Sequence, residues 1–210
     1  MKTIDLTHPL TPDMPVYPGD ESPGFSLQSE KSTHGYQVSR ISMDTHTGTH
    51  MDTAAHLLPE DRFIHDYPLS DFIGKGKVID CSDQKDIEKS WLQKNLESPM
   101  PEFILIHTNC SRYWGEKSYF QSFPVLTKEA AGWLARLPLK GIGVDTPSFD
   151  ETSSTSYDIH LQFLNKGIIL IENLCNLDSL AGLEFTFFCV PLPLQVSDGS
   201  PVRAFALTDE

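Results

Sequence analysis

With 210 residues, 39% of them hydrophobic and 21% charged, the chain is long enough to bury a sizeable core without disulfide help, and it reads as one domain spanning 1–210. Sixteen basic against 29 acidic side chains leave a net charge of −13. A surface this acidic repels phosphate backbones, and no Lys/Arg cluster opposes it locally, so nucleic acid is excluded as a partner. No apolar run approaches the ~20 residues of a membrane span, and the first nine residues lack the apolar core of a signal peptide. Cys81, Cys110, Cys175 and Cys189 are scattered without a C-x-x-C pair, so they read as small buried hydrophobes in a cytoplasmic protein.

Taken in order, residues 3–6 are the first strand candidate. Pro9, Pro12, Pro15, Pro18 and Pro23 then exclude regular structure. In that loop Tyr17-Pro18-Gly19-Asp20 is a turn carrying an exposed aromatic ring, either an ordinary proline-held loop or a flap over a pocket. Apolar and polar residues alternate over 36–43, the mark of a half-buried strand. Ala54, Ala55, Leu57 and Leu58 read as a short buried helix halted by Pro59, residues 63–68 as irregular and 78–80 as a strand. Ser82 or Asp83 can cap a first clear helix whose apolar face is Ile87, Trp91, Leu92 and Leu96.

Residues 103–107 form a continuous apolar run with a polar end, which suits a strand buried on both faces. Thr127 opens a second helix with Ala130, Ala131, Leu134 and Leu137 inward, and 142–145 is another buried strand. The loop 146–156 leads to a third helix closed by Gly167. Residues 168–171 are the strongest strand signal and deliver Glu172 at its polar end. A short helix through Leu174, Leu177 and Leu180, then strands at 185–190 and 202–207, complete the pattern. Strand and loop come first, and helices alternate with strands afterwards. That predicts an α/β domain with a mixed sheet rather than a doubly wound one.

The most informative stretch is His46-Thr-Gly-Thr-His50-Met-Asp52-Thr-Ala-Ala-His56. Imidazole and carboxylate together are the ligand set of a borderline divalent ion such as zinc or manganese. A helix would turn His56 away from His46 and His50. A straight strand puts all four on one face, yet His46 and His50 would then stand roughly 13 Å apart at about 3.3 Å per residue. That is too wide for two bonds of roughly 2 Å to one ion. A strand ending near Asp44 and a tight loop, with Gly48 supplying unusual backbone angles, satisfies both constraints. One histidine in a strand is usually just a half-buried polar residue; four potential ligands at this spacing are not so easily dismissed.

Ligands gather where strands of open α/β sheets end, and Glu172 occupies such an end. His160, on the preceding helix, is folded toward it by the turn at 165–167. Read singly, Glu172 is a solvated strand terminus and His160 a helix residue half covered by Tyr157 and Leu164.

The histidine loop resembles the H-x-G-T-H-x-D-x-P-x-H signature of the metal-dependent cyclase family, which includes bacterial kynurenine formamidases and isatin hydrolases. Further likenesses run through Asp5-Leu6-Thr7-His8-Pro9, Tyr17-Pro18-Gly19-Asp20, His160, Glu172-Asn173-Leu174 and Pro201-Val202-Arg203. The resemblance implies a barrel-like mixed β/β/α fold. It implies that His46, His50 and Asp52 bind one ion and that Asp52, His160 and Glu172 bind a second, with Asp52 bridging. It also implies a catalytic His56, an aromatic substrate wall at Tyr17, and a homodimer or homotetramer. Two departures stand out: the motif proline is Ala54, and Tyr17 stands where formamidases often carry tryptophan.

The chemistry expected of one or two divalent ions per chain, Zn2+ first and Mn2+ second, is a lowering of the pKa of water from about 15.7 toward 7. His56, not needed as a ligand, is left to pass a proton to a leaving nitrogen. The expected activity is hydrolysis of a formamide or cyclic amide, a small-molecule substrate, with N-formylkynurenine foremost. The rivals are an enzyme that opens another ring, such as isatin or a lactone, and a metal-binding module without catalysis.

Overall fold

The computed structural model describes residues 1–59, 62–96 and 98–209. In chain order its strands are β1 (Lys2–Asp5), β2 (Gly24–Ser29), β3 (Val38–Ser42), β4 (His50–Asp52), β5 (Ile73–Asp80), β6 (Asp86–Ile87), β7 (Phe103–His107), β8 (Val125–Leu126), β9 (Gly141–Val144), β10 (Ile169–Glu172), β11 (Phe185–Phe188), β12 (Gly199–Pro201) and β13 (Phe205–Thr208). The helices are α1 (Lys31–His34), α2 (Lys89–Asn95), α3 (Lys128–Leu134) and α4 (Asp158–Leu164).

Nine strands make one curled mixed sheet, a half-barrel, in the order β1-β13-β11-β5-β7-β9-β10-β4-β12. Its centre, β5-β7-β9-β10, is parallel and both flanks are antiparallel. Strands β7, β9 and β10 are nearly continuous apolar runs because both faces are covered, whereas β5 carries Lys75 and Lys77 and is only partly buried. Ile104, Ile106, Ile142, Val144 and Leu170 face one core with α2, α3 and α4. Their neighbours Phe103, Leu105, Ile169 and Ile171 face a second core with Met51, Leu177 and Phe187. The period-two side-chain geometry of a strand sorts one run into two cores. All four cysteines are buried and free.

Three sequence expectations change. The helix begun at Ser82 or Asp83 starts later, at Lys89, because Asp86–Ile87 instead pairs as β6 with β8. Ala54–His56 is a single tight turn in which only Ala54 is buried. The strand expected to be half-buried over 36–43 is β3, exposed at every position, because it pairs only with β2 in a two-stranded hairpin apart from the main sheet. Alternation reveals an apolar face but not what lies against it.

The sheet brings the chemistry together at one end. Antiparallel pairing sets Glu172 of β10 opposite His50 of β4, and Gly199 of β12 opposite Asp52. Helix α4 lies directly before β10, joined by the turn at Gly167, whose φ of 69° favours glycine. His160 is thereby carried back over the strand end.

Candidate metal centre

The path from His46 to His50 is a tight turn with Gly48 at φ 67°. A side chain there would approach Leu10 Cδ2 at 2.8 Å and Met14 Cε at 3.0 Å, both ends of flexible side chains that can give way, so it is the backbone angle that favours glycine. Thr49 anchors the turn: its hydroxyl donates to the carbonyl of Asn173 (2.6 Å) and accepts from the amide of His8 (3.0 Å). The loop is thus tied to the end of β10 before any ion is considered.

Three donor atoms of His46, His50 and Asp52 lie within 4.8 Å of one another, as do three from Asp52, His160 and Glu172. Asp52 belongs to both groups. Its Oδ1 is 2.8 Å from His46 Nδ1 and 3.3 Å from His50 Nε2, while its Oδ2 faces His160 Nε2 at 3.8 Å. His160 Nε2 is 3.1 Å from Glu172 Oε1, and His50 Nε2 is 3.4 Å from Glu172 Oε2.

The other ring nitrogens fix which atom each histidine offers. His50 Nδ1 is 2.8 Å from the carbonyl of Gly48, which can only accept, so Nδ1 carries the proton and Nε2 the lone pair. His160 Nδ1 donates to Asp150 Oδ2 at 2.6 Å, again leaving Nε2 inward. Two backbone amides, of Ile159 and His160, hold the Asp150 carboxylate in place. Carboxylate-oriented histidines of this kind are the usual support of metal ligands.

Electrostatics agree with a cation site. Asp52 is 1% exposed and Glu172 5%, and two carboxylates this close and this dry are costly without positive charge between them. Burial pushes the Asp52 carboxyl up, but His46 and His50 outweigh it and hold it well below the usual carboxylate range. Burial pulls His46 and His160 down, yet the surrounding carboxylates raise both to about 10. Asp52 and Asp198 act on His46; Asp150 and Glu172 act on His160. Nitrogen and carboxylate donors around two shared positions fit a pair of divalent ions.

His56 stands beside these groups. Its ring lies 4.1 Å from that of His46 and 6.3 Å from that of His160. A cavity of 370 Å³ opens over the cluster, with Tyr17, Trp114, Phe120 and Tyr157 as its aromatic walls. Tyr17 packs edge-on against Phe120 at 6.1 Å, so the proline-rich loop covers the pocket. All seven residues singled out from the sequence therefore line one cavity.

Several neighbours were not anticipated. Asp150 lay in a loop rich in acids, and Asp198 follows His46 by 152 residues. The turn dipeptide Asp198-Gly199 before Pro201 was the available signal for the second. Trp114 and Phe120 sit in a segment with no periodicity, and only the fold brings them to the pocket.

The Cyclase family model matches residues 4–151. The chain belongs to the cyclase family. A kynurenine formamidase of Bacillus thuringiensis (strain Al Hakam) is 32% identical over 209 residues, covering 97% of this chain and 98% of that one. Among solved structures, isatin hydrolase A from Labrenzia aggregata, bound to benzyl benzoate, superposes with a TM-score of 0.89 at 26% identity, over 100% of this chain and 94% of that one. A structure described as a potential metal-dependent hydrolase with cyclase activity gives 0.82 at 27% identity, over 100% and 98%. The two solved structures match the fold over the whole of this chain.

Proposed function

We propose that this cyclase-family chain is a metal-dependent arylformamidase that hydrolyses N-formylkynurenine to kynurenine and formate. The observation that carries the reading is the pair of three-atom donor groups sharing Asp52, with an additional histidine at the same cavity wall. The kynurenine formamidase relatives, alike over nearly the whole chain, support the substrate. His46, His50 and Asp52 would hold one ion, and Asp52, His160 and Glu172 the other. Zinc suits this donor set first, and manganese second.

A divalent ion held there would supply water of lowered pKa and Lewis acidity toward a carbonyl oxygen. The chain supplies the rest. Tyr17, Trp114 and Phe120 stack and orient the aryl ring, and the loop carrying Tyr17 excludes bulk water. His56 takes the proton of the attacking water and delivers it to the departing anilide nitrogen, a role worth ~10²–10⁴-fold. Elemental analysis coupled to an N-formylkynurenine assay tests both parts. His56→Ala keeps its metal and loses most turnover; loss of metal instead would make His56 a ligand.

A second reading, opening of a neutral ring such as that of isatin, has one observation in its favour. Among the described residues that line the pocket none is Lys or Arg, and Asp20 adds negative charge, so the carboxylate of an amino-acid substrate finds no cationic partner. A substrate panel separates the two readings: a kcat/KM for isatin above that for N-formylkynurenine favours the second.

The assembly proposed is a homodimer working in the cytoplasm. Pairing places Phe25 opposite Ile41, so that these two and Leu27 form one face of the β2–β3 hairpin, exposed by 38%, 53% and 47%. A lone two-stranded hairpin is marginal in water, and a second copy of this chain covers that face. Four free buried thiols suit a reducing compartment. No helix among the described residues is long and apolar enough to cross a membrane.

A further inference from the structure

Asp198 lies at the rim of the cavity just before β12, and its surroundings are built rather than incidental. Thr53 donates to its backbone carbonyl twice, through the amide at 2.9 Å and the hydroxyl at 2.8 Å. Thr45 donates to its Oδ1 at 3.1 Å. Its Oδ2 meets two rings at once, His46 Nε2 at 2.9 Å and His56 Nδ1 at 3.2 Å. The backbone path that delivers it is specialised on both sides. Val196 sits at φ 58°, a conformation uncommon for a β-branched residue. A side chain at Gly199 would come within 2.8 Å of His46 Cε1 and of the Met51 carbonyl.

A carboxylate oxygen carries two lone pairs, and here each faces one ring N–H. His46 then presents Nδ1 to Asp52 and His50, and His56 keeps the lone pair on Nε2. Free to tautomerise or rotate, either ring would present the wrong nitrogen for part of the time. We propose that Asp198 is a shared positioning residue, whose Oδ2 fixes His46 as a metal ligand and His56 as the proton-transfer group in one constraint. The His56 half rests on the reaction proposed above and the His46 half on the metal assignment within it, and the two are read out separately by kcat and by zinc affinity.

The test uses the full-length protein loaded with Zn2+, with N-formylkynurenine as substrate and competition with a chelator to measure zinc affinity. Asp198→Ala should lower kcat at saturating zinc and weaken zinc binding, each by roughly 10–100-fold, with KM little changed. Asp198→Glu should restore part of kcat. His56→Ala should leave zinc affinity unchanged, and adding Asp198→Ala to it should cost less than about a further twofold in kcat, the scatter of ordinary additivity. The proposal is overturned if kcat and zinc affinity survive in Asp198→Ala. It is equally overturned if the kcat losses multiply fully in the double variant while zinc affinity is untouched, or if the wild type holds a third zinc that Asp198→Ala alone removes. Wild-type turnover in His56→Ala would instead reject the acid–base role of His56, and zinc affinity would still decide the His46 half. Should Asp198→Ala fail to fold by circular dichroism, the isosteric Asp198→Asn takes its place, with the same losses expected.

Discussion

The two halves of the proposed metal centre are built in opposite ways. His160, Asp150 and Glu172 sit on a helix, its preceding loop and a strand end, with side chains only 4–8% exposed. His46, His56 and Asp198 sit on turns at the cavity rim, with side chains 21%, 28% and 37% exposed. Each half clamps a histidine with a carboxylate, Asp150 on one side and Asp198 on the other. The buried clamp is part of the core and the rim clamp is open to solvent. A buried group left without its partner weakens the fold, whereas a solvated one hydrogen-bonds to water instead. On the proposed function, the buried half would couple metal binding to stability, and the rim half would couple it to catalysis.

Asp52 joins the halves, so removing it has the largest effect. Asp52→Ala should leave activity at background and abolish binding at both positions, seen as less than one ion per chain by elemental analysis. Retention of one tightly held ion would show that the halves are independent sites. A step smaller is the contrast between the clamps. Asp150→Ala strands His160 Nδ1 in the core, costing about 1–3 kcal/mol of stability. It should also weaken metal binding roughly 10–100-fold. In thermal unfolding of the metal-free proteins, Asp150→Ala should melt well below wild type and Asp198→Ala close to it. Equal melting temperatures would remove the distinction drawn between core and rim.

The sequence revealed these halves unequally. The histidine loop was legible because four potential ligands, His46, His50, Asp52 and His56, fall in eleven residues, and the spacing itself demanded a turn at Gly48 rather than a straight strand. Glu172 was legible because a polar residue ends an aliphatic run, and strand ends collect ligands. Asp150 and Asp198 were not, since a carboxylate in an acid-rich loop or a turn carries no period, and its partner is set by tertiary pairing such as β12 on β4. The same limit hid the exposure of β3. Its alternation was read as a half-buried strand, but Val38 and Ile41 point to opposite faces and both are exposed, because burial depends on which strand lies next to it. The start of α2 was misplaced because Ile87 fits a helical face as well as it fits β6, and the pairing of β6 with β8 decided it.

The last predicted effect is confined to acid pH and concerns what lies beneath the rim half. His8 is stacked flat on Trp114, with ring centres 4.0 Å apart, and its amide donates to Thr49 of the histidine turn. Burial pushes the imidazole down to about 4. A folded-state pKa below the unfolded value means that the unfolded chain binds the proton first. The contribution of His8 is therefore complete above about pH 6.5 and is lost as pH falls toward 4. A shift of this size corresponds to on the order of 2 kcal/mol once partial solvent access is allowed for. His46 and His160, raised to about 10, act in a separate window. In the metal-free protein their contribution is complete below about pH 6.5 and fades as pH rises toward 10. Urea unfolding of metal-free protein at pH 4.5 and 6.5 should show the loss on the acid side, and His8→Phe, which keeps the stack on Trp114 without a titrating group, should flatten it. Because Thr49 and Trp114 belong to the rim side, amide exchange at pH 4.5 should rise first around residues 46–50 while α4 stays protected. Acid loosening that began in α4 instead would mean that the buried half, not the rim, is the weaker of the two.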